Sequence, residues 1–219
     1  MFSLCKIRRV RFSYVLTKTT LHLGYYPEEL LNNGTDSHDG REEWVSHKTG
    51  PNTVFYHTDT GINRGTSWLF NGKLHRINGP AATVYHDNGS LKLETWFFNG
   101  KPHRIAGPAV TTYYDNGLLK TETWFFNGEN HRINGPAYIM YYVKGTIRCR
   151  SWYVRGEIYH IRGPAEIRYY DNGTIQSEAW FNNGNLHRIN GPAIIYYHDD
   201  GRIQRKSWYA NDKLIDGPG

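Results

Sequence analysis

Short runs of aromatic and β-branched residues alternate with tight clusters of Asn, Gly, Asp and Pro along most of this chain. The segment WFFNGKPHRIAGPAVTTYYDNGLLKTET, residues 96 to 123, carries the pattern in full. Runs such as Ala137 to Tyr142 predict strands of about six residues. No stretch keeps an apolar period of about 3.6, so no long helix is predicted. The tryptophans fall on one beat: Trp44, Trp68, Trp96, Trp124, Trp152, Trp180 and Trp208, each 28 residues after the last from Trp68 onward. A fixed period of this size marks a solenoid or array.

Two turn signals punctuate each unit. One Asn-Gly pair follows the Trp, as at Asn71-Gly72, Asn99-Gly100, Asn127-Gly128 and Asn183-Gly184. Another lies near the unit's end, at Asn88-Gly89, Asn116-Gly117 and Asn172-Gly173. Asn-Gly suits hairpin turns with positive φ at both central residues. Gly-Pro pairs such as Gly107-Pro108 open one strand each, a place where the missing proline N–H is tolerated. Each unit therefore reads as a hairpin followed by a link carrying His-Arg. The expected fold is all-β: an elongated, solenoid-like antiparallel sheet of stacked hairpins with period 28 and a small N-terminal cap.

Residues 1–43 read as that cap, or as a basic arm with a short helix. Lys6, Arg8, Arg9, Arg11 and Lys18 meet no acid before Glu28, and Pro27 with Glu28 and Glu29 suits a helix start. Residues 44–219 read as the repeats. A degenerate unit opens at Trp44, five full units open at Trp68, Trp96, Trp124, Trp152 and Trp180, and a truncated one opens at Trp208. The Trp152 unit deviates, with Arg155-Gly156 for Asn-Gly and Tyr159-His160 for His-Arg.

Composition changes the picture little. Aromatics at 15% supply burial that a narrow sheet otherwise lacks. A net charge of +6 permits anionic partners without requiring them. Cys5 and Cys149 form no spaced pattern, so neither a disulfide framework nor a zinc site is expected. No apolar run is long enough for a transmembrane helix. The basic residues near the start sit inside the apolar stretch, which is wrong for a secretory signal. The expected location is therefore intracellular or virion-associated. The glycosylation patterns at Asn33, Asn88 and Asn172 read as by-products of turn chemistry.

The units resemble MORN (membrane occupation and recognition nexus) repeats in a lengthened variant. Trp96, Gly100, His103, Gly107, Tyr113 and Gly117 carry the match, and they recur in the other units. The wording HR-x-x-GPA is closest to MORN-variant repeat proteins of large DNA viruses and of some phages and bacteria. The likeness covers residues 44 to 219 and departs in a longer His-to-Gly link. It implies a non-enzymatic binding or scaffolding role, at membranes in some members and often with self-association.

The His-Arg ladder is the candidate interaction feature: His75-Arg76, His103-Arg104, His131-Arg132 and His187-Arg188. One unit adds two strands at about 4.8 Å each, so equivalent histidines fall roughly 10 Å apart. Zinc ligands lie about 2 Å from a shared ion, so the ladder is no metal site. The arginines could line up as an anion-binding strip. The simpler expectation is that each Arg bonds link carbonyls or a neighbouring acid while His packs beside Trp. The tryptophan and tyrosine columns read as inter-repeat core before they read as a stacking platform for single strands. Leu91, Leu119, Ile147, Ile175 and Ile203 read as core too. The row Lys92-Glu94, Lys120-Glu122 and Gln176-Glu178 reads as a solvated face with weak cross-strand pairing.

No phosphate loop, nucleophile elbow or HExxH motif appears, and repeated carboxylates are the opposite of one unique constellation in a cleft. The chain is expected to be no enzyme and to need no cofactor. Its expected role is a protein-interaction or assembly scaffold, as a viral structural or virion-associated component. Its expected partners are other proteins, including further copies of itself. The alternative is nucleic acid or anionic membrane, bound through the basic arm and the Arg ladder. No small-molecule substrate is expected.

Overall fold

The computed structural model describes residues 53–56 and 63–217. The cap, the basic arm at Lys6, Arg8, Arg9 and Arg11, the helix expected after Pro27 and the Trp44 position lie outside the described residues. The described chain is all β, an open, elongated antiparallel sheet of successive hairpins. Twelve strands cross it in chain order, from Thr53–Tyr56 to Ile203–Ala210. The last runs on to pair with Lys213–Ile215.

The unit opening at Trp96 shows the construction. Val110–Tyr113 and Leu119–Thr123 form the sheet hairpin, and Val110–Tyr113 also pairs with Leu91–Thr95 of the unit before. The ladder thus continues from unit to unit. Between Trp96 and the sheet hairpin, Phe97–Phe98 pairs with Lys101–Pro102 in a minor hairpin that stays out of the main sheet. The same minor hairpin recurs after Trp68, Trp124, Trp152 and Trp180. Each unit therefore holds two hairpins rather than the one expected. Apart from the final pair, Ile203–Ala210 and Lys213–Ile215, the strands are also shorter than six residues: four or five within the sheet units and two in the minor hairpins.

The two kinds of Asn-Gly turn differ. In the minor hairpins both residues have positive φ, 48° at Asn99 and 76° at Gly100, as a two-residue turn matched to strand twist requires. In the sheet hairpins only the glycine does, with φ of 82° at Gly117. There Tyr114 N–H bonds Leu118 O and Gly117 N–H bonds Tyr114 O, a three-residue loop. Asn116 instead accepts from Leu118 N–H with its side chain. A bulge follows. Tyr113 faces Leu119 and Thr112 faces Thr121, so Lys120 is the extra residue. Every later sheet hairpin repeats this shift.

The core lies between one sheet face and the minor hairpins, and it is made of small side chains. Ala81, Ala109, Ala137, Ala165 and Ala193, each just after Gly-Pro, have no exposed surface. Each alanine accepts a bond from its unit's Trp N–H, as Ala109 does at 2.7 Å. Around them Leu74, Phe97, Tyr153 and Leu186 descend from the minor hairpins. The tryptophans are only half-buried, and so are Leu91, Leu119, Ile147 and Ile175, while Ile203 is 52% exposed. Both columns are thus flanks of the core rather than its centre. The bulge explains the second case, because it carries those residues off the packed face.

Tyrosine pairs sew the units together. Tyr114, Tyr142 and Tyr170 each donate to a tyrosine carbonyl of the next unit, that of Tyr141, Tyr169 and Tyr197, at 2.8 Å. Tyr113, Tyr141 and Tyr197 donate back to Glu94, Glu122 and Glu178 at 2.6 to 2.9 Å. The glutamate row therefore finds tyrosine hydroxyls as its partners.

Candidate interaction edge

The minor hairpin ends where the His-Arg link begins, and the link's geometry repeats in each regular unit. The Arg guanidinium lies flat over its own unit's Trp: 3.7 Å to the ring centroid for Arg76 and Trp68, 3.9 Å for Arg104 and Trp96. The distances are 3.9 Å for Arg132 and Trp124 and 3.8 Å for Arg188 and Trp180. One nitrogen donates to the following proline's carbonyl, at 3.2 Å from Arg104 to Pro108. The glycine before that proline presses on the guanidinium's other side. A Cβ on Gly79 would come within 2.7 Å of the Arg76 carbon. The motif R-x-x-G-P is thus a sandwich of indole, guanidinium and bare glycine. Stacking of this kind contributes about 0.5 to 2 kcal/mol per unit. In the Trp152 unit, His160 stands at the Arg position and does the same work. It stacks on Trp152 at 4.8 Å and 11°, and its Nδ1 lies 3.1 Å from Pro164 O.

The histidines do not sit beside Trp as expected. His75, His103 and His131 alternate with Phe70, Phe98 and Phe126 in a file of rings, with centroids 4.9 to 6.1 Å apart. His103 Nδ1 accepts the backbone N–H of Asn127 at 3.1 Å, and His131 accepts that of Arg155 at 3.2 Å. Each histidine thereby ties its minor hairpin to the next. His75 is buried, and burial holds His103 below the usual imidazole pKa. The file ends at His131, since Val154 holds the next phenylalanine position and Tyr159 the next histidine position, and the Nδ1 of His187 is buried with no hydrogen-bond partner. Apart from the His187 ring, the ladder side chains are therefore engaged within or between units, with the arginines half-exposed.

The residue after each ladder pair escaped the sequence reading. Ile77, Ile105, Ile133, Ile161 and Ile189 project from the links at 53%, 87%, 84%, 78% and 85% exposure. They form one apolar file along the edge, one per unit. The signal was present: an isoleucine in every H-R-I-x-G-P link, with no strand to bury it. Between two links lies a groove of about 720 Å³, with Ile105 and Ile133 as its walls and Trp124, Phe126 and Arg132 within.

Charge follows the same edge. The minor hairpins and links, residues 68–80, 96–108, 124–136, 152–164 and 180–192, hold eight Lys and Arg against Glu129 and Glu157, a net +6. The sheet-hairpin turns on the opposite long edge, residues 86–90, 114–118, 142–146, 170–174 and 198–202, hold five Asp against Lys144 and Arg202, a net −3. The indole N–H groups of Trp96, Trp124, Trp152 and Trp180 form no hydrogen bond among the described residues. The link edge thus combines exposed apolar side chains, aromatic rings and net positive charge. No family model matches the chain, and no curated protein matches it.

Proposed function

We propose that the chain is a MORN-like repeat scaffold that binds another protein along its link edge, without catalysis. The observation that carries this reading is the file of exposed isoleucines, most of whose surface is open to solvent. Scattered apolar residues on a surface need no explanation, but a regular row of them along one edge, with a groove between two of them, points to an interaction site. The repeat suits the role, since rods of this type present long surfaces to their partners.

A photo-reactive phenylalanine analogue placed at Ile133 should cross-link a polypeptide in the native cell. The same group at Asn116, on the turn edge, should not. Light scattering on the purified chain then separates a foreign partner from a second copy. The basic charge of this edge favours a second reading, an anionic nucleic acid or membrane surface. Adducts to nucleic acid, or salt-sensitive vesicle binding that ignores the isoleucines, would replace the first reading with the second.

A further inference from the structure

We infer that the partner segment is an acidic, proline-rich chain in the polyproline II conformation, laid along the isoleucine file in register with the repeats. The inference rests on the protein-binding reading above and names the chemistry of what is bound.

Spacing selects the conformation. Two strands per unit advance the edge by about 9.6 Å. A polyproline II chain rises about 3.1 Å per residue with three residues per turn. Every third residue then returns to the same side after about 9.3 Å, a mismatch of roughly 0.3 Å per unit. An α-helix brings a side chain back to one face after seven residues, about 10.5 Å. That mismatch is roughly 0.9 Å per unit and accumulates over the four intervals between five isoleucines. A β-strand alternates faces, so its third residue points away.

Chemistry agrees with spacing. The groove between Ile105 and Ile133 is lined by Trp124 and Phe126, and aromatic-lined grooves are the usual receptors for this conformation. Polyproline II leaves its backbone carbonyls without internal hydrogen bonds. The indole N–H groups of Trp96, Trp124, Trp152 and Trp180 are the donors we assign to meet them. Net positive charge along the edge selects acids at the positions facing away from the knobs.

The test is a titration of the full chain, followed by tryptophan fluorescence. The probe is a synthetic peptide of five Leu-Pro-Asp triplets. Saturable binding is expected, weakened at least tenfold by Ile105→Ser with Ile133→Ser and reduced by salt. Both isoleucines are exposed, so the variant should fold, and circular dichroism checks this. A peptide of the same composition with the leucines at every second position should bind at least tenfold more weakly, as should an amphipathic Leu/Glu helix. Equal or tighter binding of either control overturns the proposal, as does no binding of the triplet peptide. If the triplet peptide fails while the Ile133 cross-link to a polypeptide stands, the partner's chemistry is wrong and the binding role survives. If both fail, the role itself falls.

Discussion

At the scale of single residues, the link arginine does what several residues do elsewhere. It covers an indole, caps a proline carbonyl and fills the space left by a missing Cβ. Arg132→Ala should therefore destabilise by about 1 to 2 kcal/mol in urea unfolding, and Arg132→Lys should recover little, because an ammonium lacks the flat face. Gly79→Ala should act through the same contact by pushing Arg76 off Trp68. The histidine file predicts a pH effect with a definite sign. His103 must keep Nδ1 unprotonated to accept Asn127 N–H, and burial lowers its pKa in the folded state. The unfolded chain then takes the proton first as pH falls below about 6.5. Stability present above that value is lost as pH falls through the folded pKa, so urea midpoints should drop between pH 7.5 and 5. His103→Gln should flatten that part of the dependence. The sequence showed that His and Arg recur in the link. It could not show which ring each would meet, because the minor hairpin rotates the pair so that Arg faces Trp and His faces Phe.

At the scale of elements, period and turn chemistry made the sheet hairpins legible, while the minor hairpins were not. Phe97–Phe98 and Lys101–Pro102 are too short to show alternation, so only the Asn-Gly between them signalled a turn. The same brevity made the Leu119 column look like core, since a bulge leaves no mark in a five-residue strand. The deviant unit now has a physical meaning. Gly100, Gly128 and Gly156 each donate to a carbonyl of the preceding minor hairpin, and no such bond joins Gly184 to Ile158 among the described residues. Tyr159 stands there in place of the histidine that would accept Asn183 N–H. Arg155 also holds a φ of 50°, which asparagine takes more readily. Arg155→Asn with Tyr159→His should therefore raise stability by about 1 to 2 kcal/mol. Thermal unfolding would check it, and a lowered midpoint would mean the seam is better packed than its bonds suggest.

At the scale of the whole molecule, each unit leans only on its neighbours, as the tyrosine stitches and shared ladders show. Excising residues 96–123, which joins Thr95 to Trp124, should leave a folded and cooperative protein. Its maximum dimension in solution scattering should shorten by about 10 Å, the width of two strands. Collapse of the shortened chain would show that the units are not interchangeable. The elongated, all-β form was legible in the 28-residue beat. The exposed isoleucines were not, because a periodic apolar residue in a solenoid is ordinarily assigned to the interior. The two oppositely charged long edges have a kinetic consequence. They give the rod a dipole across its width, so in the binding role proposed above an approaching acidic partner exerts a torque that turns the link edge forward before touching. Salt should therefore slow capture while leaving escape nearly unchanged.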